Sequence, residues 1–191
     1  VTGVQTCALP ISLEFEQPAL AITDHGNLHA AWEFQEKARK QKIKPIIGME
    51  AYVAPGDRRQ RGKTVPSDRS YYHLVLLARD MQGYKNLVKL SSLGYTEGFY
   101  GKPRVDRELL ARYSEGIIVS SACMAGEVAQ HLLAGRPDEA RQTAAWYAEV
   151  FKDRYYLEVQ AHDAGEQRLL NAQVFDLAAT MNLPVIATND A

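Results

Sequence analysis

Ala19-Leu20-Ala21-Ile22-Thr23-Asp24-His25-Gly26-Asn27 is an apolar run of strand length that stops at an acid, an imidazole and a glycine. Such an ending is expected where chemistry is built at the C-terminal ends of strands, in an α/β barrel or an open parallel sheet. The same design recurs. Pro45-Ile46-Ile47-Gly48-Met49-Glu50 delivers a carboxylate, and Gly116-Ile117-Ile118-Val119-Ser120-Ser121-Ala122-Cys123 delivers a thiol. Pro184-Val185-Ile186-Ala187-Thr188-Asn189-Asp190 delivers a second carboxylate. Gly26, directly behind His25, suits a tight turn that keeps the imidazole accessible.

Outward from these strands the chain alternates. Residues 19–23, 45–53, 71–78, 117–122, 155–160 and 184–188 read as strands. Residues 28–42 read as an amphipathic helix with Leu28, Ala31, Trp32 and Ala38 on its apolar side. Helices are also expected over 81–93 and 127–133, and again after Pro137, where a first turn tolerates proline. A last helix carries Leu170, Val174, Leu177 and Met181 at spacings of 4, 3 and 4. Residues 94–104 form a connection rich in glycine and aromatics. The alternation predicts an α/β fold with a mainly parallel sheet, closed or nearly closed by helical crossovers. The stretch 56–69 holds four arginines and a lysine with little apolar content, and it reads as a solvated surface loop. Phosphate binding is the alternative for that loop.

The 191 residues are 46% hydrophobic and 24% charged, the balance of a globular protein. No apolar stretch reaches the roughly 18 residues that span a bilayer. A net charge of −1 excludes a broad electrostatic attraction for nucleic acid by the whole chain, though not nucleic acid as a partner of a longer parent. Two cysteines, Cys7 and Cys123, point to a reducing compartment rather than a disulfide scaffold. The first residues, VTGVQTCALPI, resemble the conceptual translation of a sequencing-adapter oligonucleotide. Residues 1–12 are therefore set aside from the fold, a genuine buried strand being the alternative. Both ends read as truncations of a longer reading frame.

His25, Glu50, Cys123 and Asp190 together supply imidazole, carboxylate and thiolate donors. That mixture suits zinc, and its harder subset suits manganese or magnesium. Two or more such ions can activate water and clamp a phosphoester. His73 falls early in its strand, so spacing alone makes it a core residue or a support for the ligands.

The strings AITDHGN (21–27), KPIIGMEAYVAP (44–55), YYHLVLLA (71–78), GYKNLVKLSSLGYTEGFYGKPR (83–104) and LPVIATND (183–190) carry a resemblance. They look like the PHP (polymerase and histidinol phosphatase) domain of bacterial replicative DNA polymerases, the polymerase III alpha subunits. The match covers nearly everything after Glu16. It implies a PHP-type distorted (β/α)7 barrel, incomplete in this fragment, with 13–191 a partial PHP domain at the N-terminal part of the parent. On the family pattern His25, Glu50, His73, Cys123 and Asp190 occupy metal-ligand positions, with zinc or manganese expected. Asp24 would orient His25, and Glu158 and His162 stand near a strand end as supporting residues. The family's initial His-x-His strand and a histidine after the Asn-Asp pair are missing from the sequence. Weak metal binding and little or no hydrolysis are therefore expected of this chain.

The parent implied by the resemblance is a DNA-directed DNA polymerase of the bacterial cytoplasm, using magnesium, primer-template DNA and deoxynucleoside triphosphates. Other polymerase III holoenzyme subunits would be its partners, an exonuclease subunit among them. The PHP region would be a scaffold with a possible role in metal-dependent 3′–5′ exonuclease proofreading. The competing readings are a stand-alone, histidinol-phosphatase-like PHP phosphoesterase, and a binding module whose ligand residues are remnants.

Overall fold

A computed structural model describes residues 2–61, 70–162 and 165–189, with side chains from Ala8 onward. The elements follow in the order α1 (Thr2–Glu14), β1 (Ala19–His25), α2 (Ala31–Lys40), β2 (Lys44–Val53), β3 (Tyr72–Ala78) and α3 (Met81–Thr96). Next come β4 (Phe99–Tyr100), β5 (Lys102–Val105), α4 (Arg107–Arg112), β6 (Ile117–Ser120) and α5 (Glu127–Leu133). The chain ends with α6 (Pro137–Phe151), β7 (Tyr155–Gln160), α7 (Gly165–Met181) and β8 (Val185–Thr188).

Among the described residues eight strands join one sheet in the order β4-β5-β2-β3-β6-β7-β8, with β1 also paired to β2. One flank of β2 is shared. β1 pairs in parallel with Lys44 to Glu50, and β5 takes over at Tyr52 and Val53. The handover falls where β1 ends, so His25 sits opposite Glu50.

The expected α/β fold is borne out, with β1–β2, β2–β5, β6–β7 and β7–β8 parallel, but one central strand departs from the parallel scheme. β3 is antiparallel to both β2 and β6, whereas β6, β7 and β8 are parallel. A parallel return needs a crossover, usually a helix. Among the described residues between β2 and β3 there is no helix, so the chain returns antiparallel. As expected of an incomplete barrel, among the described residues β8 pairs only with β7, and the sheet is a curled, open fragment of a barrel.

Register partners share a face, which sorts the sheet into two surfaces. The outer face carries Met49, Ala51, Val53, Leu74, Leu76, Ile117, Val119, Leu157 and Val159. Helices α3 to α7 bury it through Leu87, Leu90, Leu110, Val128, Tyr147, Phe151 and Leu170. A second cluster, Leu9, Phe34, Ala38 and Ile43, covers the outer side of β1. Here α2 turns its Phe34 inward and leaves Trp32 75% exposed, reversing the sequence expectation for that tryptophan. The segment set aside as foreign is helical and contributes Leu9 to this cluster.

The basic loop also departs from expectation. Arg58 is 3% exposed, and its guanidinium pairs with Asp106 at 2.9 Å, Glu97 at 2.6 Å and Glu108 at 3.0 Å. Arg104, equally buried, donates to the carbonyls of Gly98, Ser70, Arg58 and Gln60. Two buried arginines therefore pin the start of a loop that composition alone marks as solvated. Residues 62–69 of that loop lie outside the described residues.

Candidate metal centre

The inner face of the sheet ends in a polar rim. His25 (last residue of β1), Glu50, Tyr52 and His73 alternate onto this face through the β1–β2 and β2–β3 registers. His73 reaches the rim because β3 runs backwards. The first turn of an antiparallel strand lies beside the last turn of its neighbours, so a histidine early in β3 faces a carboxylate late in β2.

Ligand atoms of His25, Glu50 and His73 all lie within 4.8 Å of one another. Nδ1 of His73 is 2.5 Å from Oε1 of Glu50, and Nδ1 of His25 is 3.7 Å from Oε2. Glu50 thus offers one oxygen to each imidazole. Its side chain is nearly buried, whereas His25 is exposed to solvent. Tyr52 braces both rings: His25 stacks on it at 5.9 Å and 17°, and His73 meets it edge-on at 5.4 Å.

Local backbone geometry delivers these groups. Gly26 has φ +69, and its N–H donates to the Glu50 carbonyl, closing β1 onto β2. A Cβ there would lie 2.7 Å from Cγ of Pro103, so alanine would have to displace the β4–β5 hairpin. Ala122, with φ +62, turns the chain after β6. The following Cys123 places its thiol 3.8 Å from Nδ1 of His73 and 4.0 Å from Oε1 of Glu50. The same loop is fixed to the start of β3 by the His73 N–H, which donates to the Ala125 carbonyl. The Cys123 sulfur and the Glu50 carboxylate stabilise the charged His73 imidazole against the opposing effect of burial. They push its pKa up to about 9.

Four of the residues singled out by sequence, His25, Glu50, His73 and Cys123, are therefore brought together. Asp190 lies outside the described residues. Asp24 faces away from the rim: its carboxylate accepts from the Ala30 N–H at 2.9 Å and makes no hydrogen bond to the His25 ring. Glu158 is buried and accepts from Ser120, from Gln160 at 3.0 Å and from Thr188 at 2.5 Å, tying β6, β7 and β8 together. His162 is exposed and lines a cleft of about 610 Å³ together with Cys123, Met124, Gln160 and Gln167. Among the described residues the buried Oε1 of Gln167 has no hydrogen-bond partner.

Sequence reasoning missed Tyr52, Arg58 and Arg104. Tyr52 was findable, since it stands two residues after Glu50 and must share its face. The arginines were not, because all the acidic partners of Arg58 and three of the four carbonyl partners of Arg104 lie more than 30 residues away.

Comparison with known proteins follows the same outline. Residues 12–162 match the family model described as the PHP domain. The chain is similar to DNA polymerase III subunit alpha of Deinococcus radiodurans, 47% identical over 185 residues, covering 96% of this chain and 14% of that protein. It is also 47% identical over 177 residues to the subunit of that name from Thermus aquaticus, covering 92% and 14%. The corresponding protein of Treponema pallidum is 46% identical over 175 residues, covering 91% and 15%. The chain thus spans about one-seventh of the length of these relatives.

Proposed function

The chain belongs to the PHP domain family, and from that premise we propose that it is the PHP domain of a bacterial replicative DNA polymerase. The rim of His25, Glu50, His73 and Cys123 would be its divalent-metal centre, serving 3′–5′ hydrolysis of a mispaired primer end. The intact polymerase would extend primer-template DNA from deoxynucleoside triphosphates with magnesium, in the cytoplasm, alongside other holoenzyme subunits. The identity to three alpha subunits over more than nine-tenths of this chain supports the polymerase reading.

One observation carries the metal reading: His25, Glu50 and His73 present their donor atoms within 4.8 Å, close enough to share an ion. Two imidazoles, a carboxylate and a neighbouring thiol fit zinc by softness, and the carboxylate and imidazoles alone fit manganese. Asp190 is the further ligand this reading assigns. Such an ion, when bound, supplies charge neutralisation at a phosphodiester and a water acidic enough to react near neutral pH. The chain's own groups set its position. Glu50 is held from both sides by the imidazoles, and Tyr52 limits how far either ring can swing.

The test is calorimetric titration of zinc and of manganese into the chelator-stripped chain and into His25→Ala and His73→Ala. Saturable binding that each substitution weakens by at least about tenfold is expected. Unchanged affinity in both variants would remove the metal reading while leaving the family membership intact.

A further inference from the structure

The cleft of about 610 Å³ joins the metal rim at Cys123, which lines the cleft and stands beside His73 and Glu50. Met124, Leu133 and Ala134 give it apolar surface, and Gln130, Gln160 and Gln167 line it with amides. Hydrogen bonds fix which way each amide points. Nε2 of Gln130 donates to the Met124 carbonyl, and Nε2 of Gln160 donates to Oε1 of Glu158 at 3.0 Å. Nε2 of Gln167 donates to Oδ1 of Asn171 at 2.8 Å, and Asn171 is itself oriented by its Nδ2, which donates to the Gln160 carbonyl at 2.7 Å. All of these partners are oxygens that accept, so the nitrogen ends are committed to the protein. The oxygen ends remain for a ligand. Gln167 is 3% exposed, and its Oε1 lacks a hydrogen-bond partner among the described residues, a costly state for a buried acceptor.

Charge narrows the occupant further. None of the lining residues is a lysine or an arginine, and Glu166 adds a carboxylate. Glu166 stands in the first turn of α7, where it already answers the positive end of that helix. The cleft therefore disfavours a phosphate and suits a neutral group that carries N–H donors and an apolar face. A nucleobase with an amino group has both, and bases held outside a duplex are read by such edge contacts beside apolar side chains. The volume is ample for a nucleoside.

We propose that this cleft is a base pocket beside the metal rim. It takes the terminal base of an unpaired DNA strand, prefers bases that carry an amino group, and leaves the adjoining phosphodiester at His25, Glu50 and His73. The placement of the phosphodiester rests on the metal-centre reading above. Base binding itself needs no ion.

The experiment follows the methionine methyl groups of the full chain by nuclear magnetic resonance, in excess chelator. Met124 reports on the cleft, and Met81, 66% exposed on α3, is the internal control. The probes are deoxycytidine, deoxyadenosine, thymidine and free 2-deoxyribose, with circular dichroism confirming that each variant is folded. Deoxycytidine and deoxyadenosine move the Met124 signal saturably and leave Met81 in place. Thymidine, which has no amino group, binds at least about threefold more weakly, and the sugar does not bind. Gln167→Leu weakens deoxycytidine about fivefold. Ala134→Phe fills the cleft and abolishes the response, while its zinc affinity stays at the wild-type value. An equal response to the sugar, thymidine bound as tightly as deoxycytidine, wild-type affinity in both variants, a response at Met81 alone or no binding at all would each overturn the proposal. Because chelator is present throughout, failure of the metal reading leaves these outcomes unaffected.

Discussion

Glu50 is the residue on which the rim depends, because each of its oxygens faces a different imidazole. Glu50→Gln keeps the shape and removes the charge. We expect zinc affinity to fall by at least about tenfold with the fold retained, read by calorimetry alongside far-ultraviolet circular dichroism. A second histidine gives a prediction independent of metal. His131 on α5 has a buried Nδ1 without a hydrogen-bond partner among the described residues, and burial lowers its pKa below the ordinary 6.5. Glu127 and Glu139 raise it, while Arg136 and Arg107 lower it further. The folded value lies below that of the unfolded chain, so the unfolded state takes up the proton first. The neutral ring's contribution is complete above about pH 6.5 and is lost as pH falls towards the folded value. Urea midpoints of the chelator-stripped wild type should therefore drop over this acidic window. His131→Gln should flatten that part of the profile, and an unchanged slope would show that His131 is not responsible.

At the scale of elements, the strands and helices were largely legible because each carries its own period. β7 and α5 match their sequence expectations to the residue. The direction of β3 was not legible. Direction depends on how the chain crosses between strands, and the 56–69 stretch has no periodicity to read. His73 shows the consequence. Its early position looks unfavourable under parallel pairing and becomes a rim position once β3 is reversed. Cys123 reaches the rim although its strand ends at Ser120, because the positive φ of Ala122 does the final turning. The loop after β2 gives the prediction proper to this scale. Arg58→Ala leaves the buried Asp106 carboxylate without its guanidinium, and loss of one partner from a buried pair costs about 3 kcal/mol. Urea denaturation should register that loss. Arg59→Ala, more than half exposed, should change stability by less than about 0.5 kcal/mol.

The whole molecule is a sheet covered by helices on its outer side, with an inner side that is polar at one end. The sheet does not close among the described residues, so β8 offers its far edge to other strands. Exposed edges template pairing between chains. Light scattering should rise with concentration in the wild type, and Ala187→Lys, at an exposed position of β8, should reduce it. No helix among the described residues is long and apolar enough to cross a membrane. The buried interior of the sheet is common to the fold and the rim, since Met49 and Ala51 pack into the core while Glu50 between them points the other way.

That interleaving limits how β2 can tolerate insertions and deletions. Removing one residue ahead of Glu50 would exchange the faces and drive the carboxylate into the hydrocarbon interior. Removing two would restore the alternation, yet draw the carboxylate about 7 Å along the strand, out of reach of His73. Length changes in this strand thus forfeit either the packing or the cation cradle.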